Sequence, residues 1–191
     1  YCDKIIVATG GLSYPATGST GDGYNLARQA GHSVTTLSPS LVPLISDSKW
    51  IKDLQGLTLK NVVATLYIGE RKISKVFGEM IFTHYGISGP IILTLSRDAV
   101  AHLGKPMKVA VNLKPALSLP ELDTRLLKDF DLYKNKLYKN SLNDLLPQKM
   151  IPVFIQLSGV DPEKQVNQIN RVQRHRILDL LTNFNIPIVG C

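Results

Sequence analysis

Asn61-Val62-Val63-Ala64-Thr65-Leu66-Tyr67-Ile68-Gly69-Glu70-Arg71-Lys72-Ile73-Ser74-Lys75-Val76 is two short runs about a turn. In the first run Val63, Thr65 and Tyr67 share one face, and Val62, Ala64, Leu66 and Ile68 share the other, which is the period of a strand. Gly69-Glu70 reads as a two-residue hairpin turn of the II′ kind, because the glycine comes first, and residues 72–76 return from it. Residues 79–83 read as a further strand, and residues 107–113 as another alternating one that pairs back on the same sheet. Antiparallel strands this short need each other and a cover, so the expected product over residues 39–117 is a small antiparallel β barrel or sandwich.

Working outward toward the C-terminus, the period changes near residue 118. Ser118-Leu119-Pro120-Glu121 is a capping box with Ser118 as N-cap and Glu121 three positions on, followed by Leu122, Leu126, Leu127 and Phe130 on one helical face. Residues 133–141 form a lysine-rich polar connector, expected to be a solvated face. Residues 145–157 are apolar enough for a short buried helix kinked at Pro152 and ended by Gly159. Ile169, Val172, Ile177, Leu180, Leu181 and Phe184 mark a third helix, with His175 on its polar side. Between strands and helices, Ser88-Gly89-Pro90 is expected to start a helix with Ser88 as N-cap, and Ile91, Leu95 and Val100 keep its spacing. The fold class that follows is α+β, a β barrel or sandwich over 39–117 and a helical subdomain over 118–184.

Toward the N-terminus, Ile5-Ile6-Val7-Ala8 is an apolar run stopped by Thr9-Gly10-Gly11, which reads as a strand buried on both faces that opens into a glycine-rich loop. The loop runs through Thr20-Gly21-Asp22-Gly23 into a helix over 24–30, so bare backbone N–H groups at the helix start would favour an anion or a partial negative charge. Steric demands of a strand–turn–helix explain the same glycines equally well. Gly31 reads as the residue that closes this helix, and Pro39 and Pro43 bracket a linker, placing a boundary near 36–44. The expected division is 1–38, 39–117, 118–184 and a return strand over 185–191 lying beside the first strand.

Two sets of motifs carry a resemblance. Ala8-Thr9-Gly10-Gly11, Thr20-Gly21-Asp22-Gly23, Ala27 and Gly31 are similar to the second FAD-contacting segment of two-dinucleotide-fold flavoproteins, including the fumarate reductase and succinate dehydrogenase flavoproteins. Gly10-Gly11-Leu12-Ser13-Tyr14-Pro15, together with Phe82-Thr83-His84-Tyr85-Gly86-Ile87-Ser88-Gly89-Pro90, resembles the BaiN-like (YhiN) family of bacterial NAD(P)/FAD-dependent oxidoreductases. The motif match spans residues 1–97.

The resemblance implies that this stretch is the inserted domain of a larger FAD-dependent oxidoreductase, with flanking strands of the dinucleotide-binding fold and NAD(P)H as the reductant. It implies that Thr9, Gly10, Gly11, Thr20, Gly21 and Asp22 face FAD and that the inserted part forms the substrate side, for a small-molecule substrate. The family's N-terminal Gly-x-Gly-x-x-Gly turn is not found in these residues, and no acidic residue completes the ribose-binding fingerprint. By itself the chain is therefore expected to bind FAD poorly or not at all and to be inactive. Both ends look cut, which makes an internal piece of a longer protein the expectation.

His84 and Tyr85 are the candidate catalytic pair, since Thr83-His84-Tyr85-Gly86 is where an imidazole, a phenol and a glycine converge at a strand end. Reducing a carbon–carbon double bond needs a proton donor, which either residue could be; equally, both could fix the turn through hydrogen bonds. No nucleophile elbow, Walker loop or carboxylate run is present, and Cys2 and Cys191 with four histidines make no metal-ligand spacing, so no metal is expected.

Composition bounds the remaining classes. The chain has 191 residues, 44% of them hydrophobic, which is enough for a real core. No apolar run approaches the roughly 20 residues of a membrane span, and with two terminal cysteines a cytoplasmic protein with reduced thiols is expected. The net charge of +7 is concentrated in residues 49–108, which carry nine basic and four acidic side chains. Lys49, Lys52, Lys60, Arg71, Lys72 and Lys75 are spread there over strands and turns, which disfavours a stacking platform for single strands, so a solvated face is expected and nucleic acid is not. A binding module with a basic face for nucleic acid is the alternative to the enzyme, to be separated from it by salt dependence.

Overall fold

The computed structural model describes residues 2–191, so Tyr1, the first residue of the expected 1–38 segment, lies outside the described residues. The chain divides into two compact units, Tyr1–Ser38 and Pro39–Cys191. In the first, a single 3-10 turn, Pro15–Thr17, precedes helix α1, Asp22–Gln29. Gly21 takes φ +87° as its N-cap, and Gly31, at φ +85°, follows its end.

The expected buried strand over residues 5–8 is not there. These residues form no strand, and Ile5 and Ile6 are 79% and 92% exposed. An apolar run becomes a strand only when a neighbour accepts its backbone hydrogen bonds, and the first unit holds no strand among the described residues.

The second unit is a barrel with helices. Its strands are β1 Leu44–Ile45, β2 Thr58–Ile68, β3 Arg71–Phe82, β4 Gly86–Ser88, β5 Met107–Asn112 and β6 Phe184–Ile188. They form one sheet in the order β1-β4-β3-β2-β5-β6 with every pairing antiparallel. Beyond β6, Gly190 bridges to Ile45 of β1: Ile45 N–H donates to Gly190 O at 2.8 Å and Val189 N–H to Ile45 O at 2.9 Å. That bridge brings the two edges of the sheet together, so the six strands make a nearly closed barrel and the fold is α+β.

Local chemistry explains the strands. The hairpin β2–β3 turns at Gly69, whose φ of +57° is the one positive value a II′ turn needs at its first position, and Ile68 pairs with Arg71. Ala64 and Leu66 are fully buried on the inner face, and Val63 and Thr65 on the other face are buried too, at 8% and 9%. Residues 72–76 and 79–83 are not two strands but parts of one, β3, which runs on through Gly78, at φ +151°, while its register against β2 shifts by one residue there. β6 pairs with β5, from Met107↔Ile188 to Val111↔Phe184, and so belongs to the sheet of the second unit.

Four α-helices complete this unit: α2 Pro90–Val100, α3 Leu119–Leu132, α4 Ile151–Ser158 and α5 Arg171–Thr182. The N-cap of α2 is Gly89, not Ser88, which is still paired to Ile81 in β4; Gly89 has φ +96° and a Cβ there would stand 2.9 Å from Met80 Cα. α2 packs on the inner face, where Ile91 meets Gly78 and Ile92 and Leu95 are fully buried. α3 opens on the expected box, with Glu121 Oε2 accepting from Ser118 N at 2.8 Å, and buries Leu122, Leu126 and Phe130 while Leu127 stays exposed. Pro152 does not kink a helix over 145–157. It occupies the first turn of α4, where its missing N–H costs nothing, and Gly159 at φ +63° ends the helix. α5 starts at Asn170, with His175 exposed on it.

Candidate functional site

β3 ends at Phe82 and β4 begins at Gly86, so Thr83, His84 and Tyr85 form the tight connection between paired strands. Backbone bonds hold it: Thr83 N–H donates to Gly86 O at 2.9 Å, and Ser46 N–H to Tyr85 O at 3.0 Å. Gly86 permits this because β1 crosses immediately against it; a Cβ there would lie 2.0 Å from Leu44 O. The His84 and Tyr85 rings meet edge to face, centroids 4.6 Å apart and planes at 89°. Both are exposed, Tyr85 at 38%. Among the described residues neither ring takes part in a hydrogen bond, so the backbone, not these side chains, shapes the turn. Beside them the Thr83 hydroxyl is buried without a partner, a state it shares with single side-chain oxygens of Ser74 and Asp129.

The six residues expected to face a cofactor all lie in the first unit, and the structure brings them together. A Cβ on Gly23 would come 2.5 Å from Thr9 Oγ1, and one on Gly10 would come 2.7 Å from Ser19 Oγ. The Thr9–Gly10–Gly11 segment is thus laid against the start of α1, where Thr20 Oγ1 donates to Asp22 Oδ2 at 2.9 Å and Tyr24 N–H donates to Gly21 O at 3.0 Å. A side chain at either glycine would collide with the hydroxyl packed against it, Ser19 Oγ at Gly10 and Thr9 Oγ1 at Gly23. Asp22 already offsets part of the positive end of α1, which favours hydrogen-bond acceptors there over a second full anion.

Other features point elsewhere. A groove of about 820 Å³ runs along α4, with Ile151, Ile155, Val160 and Pro162 as its apolar lining and Lys139, Asn140, Gln156 and Asp161 at its polar edge. No group of three or more His, Cys, Asp or Glu is placed to hold a metal among the described residues, and Cys2 and Cys191 are free and exposed. No described helix is long and apolar enough to cross a membrane.

Known proteins match this chain along its length. The family model for the HI0933-like protein barrel and H2TH domain covers residues 38–191. The ribosomal RNA dihydrouridine synthase of Escherichia coli K12 is 29% identical over 99% of this chain and 45% of its own length. That of Haemophilus influenzae Rd is 30% identical over 99% of this chain and 44% of its own length. The 3-dehydro-bile acid delta(4,6)-reductase of Clostridium scindens is 30% identical over 90% of this chain and 42% of its own length. The chain thus spans less than half the length of these relatives. The barrel of six antiparallel strands and the helices packed on it agree with these matches, and the chain belongs to the HI0933-like family, in which its BaiN-like resemblance is borne out.

Proposed function

We propose that the chain is part of an FAD-dependent oxidoreductase that saturates a carbon–carbon double bond conjugated to a carbonyl. The names of the relatives support this: a dihydrouridine synthase saturates the double bond of a uracil ring, and a delta(4,6)-reductase acts on double bonds in a 3-dehydro bile acid. Such a reaction adds an electron pair and two hydrogens to the substrate.

The residues of the first unit fit a flavin. Gly10, Gly11 and the first turn of α1 offer backbone N–H donors with the hydroxyls of Thr9, Ser19 and Tyr24 packed against the glycines, a polar lining that suits the polar edge of an isoalloxazine or its ribityl chain. Bound FAD, reduced by NAD(P)H, would supply the electron pair and one hydrogen. Thr9 and Thr20 add hydroxyls, and Asp22 orients Thr20. The larger protein would place this segment in a two-dinucleotide-binding fold, with the barrel unit as an insertion that forms the substrate side. The cytoplasm, where exposed thiols such as Cys2 and Cys191 stay reduced, is the compartment proposed.

The observation that carries the second unit's role is the orphaned Thr83 hydroxyl beside two exposed rings that bond to nothing. A buried hydroxyl without a partner costs about 1–3 kcal/mol, which a bound polar group would relieve. His84 or Tyr85 then delivers the second hydrogen as a proton to the substrate carbon that did not receive the first.

The test uses the complete protein and follows its two half-reactions by flavin absorbance. His84→Gln and Tyr85→Phe should leave flavin reduction by NAD(P)H unchanged, and the variant that removes the donor should slow reoxidation by an unsaturated acceptor roughly a hundredfold or more. Reoxidation at the original rate in both variants would remove the catalytic role from this turn.

A further inference from the structure

β2 is longer than its neighbour on one side. β5 pairs with it from Val63↔Asn112 to Ile68↔Met107, so residues 58–62 of β2 run on without a strand beside them there. The chain after β5 leaves the sheet at that point, its donors taken elsewhere: Leu113 N–H donates to Leu181 O at 2.9 Å, and Lys114 N–H to Asn112 Oδ1 at 2.8 Å. Against β3 the same stretch of β2 carries a bulge, in which Lys60 and Asn61 stand where β3 has Glu79 alone, and Asn61 takes φ +54°. Asparagine is one of the few residues that adopt this left-handed conformation readily.

Between β2 and the departing chain lies a cavity of about 220 Å³, with Lys60 on the strand side and Lys114 on the other. Leu59, Leu145, Leu146 and Met150, all buried, give it an apolar wall, and no carboxylate lines it. Lys60 is exposed and Lys114 half-buried, and neither ammonium joins an ion pair among the described residues. Burial holds the Lys114 pKa below its ordinary value, the Arg125 guanidinium lowers it further, and Asp129, which is not within ion-pair distance, opposes them only in part. An ammonium half withdrawn from water without a counter-ion costs free energy that a bound anion would offset.

We infer that this cavity binds a small aliphatic carboxylate, its charged end between the Lys60 and Lys114 ammonium groups and its chain against Leu59, Leu145, Leu146 and Met150. The volume would hold about seven waters, and so one ligand of about that many non-hydrogen atoms. Two cations without a lining carboxylate select an anion. The apolar wall selects an alkyl chain on that anion, since an inorganic oxyanion is polar on every side and would give up hydration where the leucines return no hydrogen bond. The cavity lies wholly in the second unit and needs neither flavin nor turnover, so it stands or falls separately from the reductase reading.

The test is saturation-transfer difference NMR of isovalerate, an anion of that size, with the complete protein, read on the methyl protons of the ligand. A Kd of about 1 mM is expected for so small a molecule. Isoamyl alcohol, the same skeleton without the charge, should bind at least roughly tenfold more weakly, and inorganic phosphate at equal concentration should not displace isovalerate. Lys114→Met should weaken binding roughly ten- to hundredfold. Lys60→Met, at an exposed position that the fold does not depend on, should weaken it in the same direction. Lys134→Met, on the connector after α3, should change nothing. Thermal melting read by circular dichroism establishes that each variant is folded. No transfer to isovalerate, equal binding of the alcohol, displacement by phosphate, or parent affinity in either Lys60→Met or Lys114→Met would each overturn the inference.

Discussion

Gly86 and Leu44 are packed so closely that a Cβ on the glycine would stand 2.0 Å from the carbonyl oxygen of the leucine. Both atoms in that contact belong to backbone, so neither yields as a flexible side chain would. The glycine of Thr83-His84-Tyr85-Gly86 is therefore there to let β1 cross β4, and the position of the His84 turn depends on it.

Gly86→Ala should separate β1 from β4 and loosen the closing bridge from Ile45 to Gly190. A loss of about 3 kcal/mol is expected, at the upper end for a methyl forced into a packed site. Urea unfolding of the variant checks it; an unchanged midpoint would mean that the strands sit farther apart.

Alkaline stability should depend on Tyr138. Its ring is fully buried, its hydroxyl reaches Ser158 Oγ at 3.4 Å, and burial pushes its pKa up to about 12. The folded state thus holds the phenolic proton more tightly than the unfolded chain does. The stabilisation is complete below about pH 10 and is lost as pH rises toward 12, a total of about 3 kcal/mol at about 1.4 kcal/mol per tenfold difference in acidity. Tyr138→Phe should lose little stability at pH 8, since Ser158 still donates to Ile155 O at 2.8 Å, and should fall less steeply above pH 10 than the parent. Parallel slopes for the two proteins would refute the assignment.

Asn170 caps α5 reciprocally, its Oδ1 accepting from Gln173 N–H at 2.9 Å while Gln173 Oε1 accepts from Asn170 N–H at 3.2 Å. Asn170→Ala should cost about 1 kcal/mol. For a chain of this size that is a drop in Tm of roughly 2–4 °C, measurable by calorimetry.

Titrating the chain with FAD should give a Kd at or above about 1 mM, equivalent to about −4 kcal/mol. The first unit offers backbone donors around Gly10 and Gly21, but Ile5, Ile6, Val7, Leu12 and Tyr14 are all more than half exposed, and no wall encloses a ligand. Binding sites cover about 70–90% of a ligand's surface, which this loop does not. Tight stoichiometric binding, followed by calorimetry, would relocate the cofactor site.

Sequence by itself determined what is local. The strand of β2, the glycine at the hairpin, the Ser118 box and the switch to helical spacing each depend on a few residues, and each holds in the structure, although Val62 to Leu66 are buried on both faces of β2. The motifs around Gly10 and His84 pointed to the family for the same reason, since a backbone conformation or a close approach constrains a short run of residues. Tertiary structure alone decided which distant segments pair. Residues 5–8 have a strand's composition and form none, because a strand exists only with a partner. Residues 184–188 look no different, yet they find β5 and, through Gly190, close the barrel on Ile45.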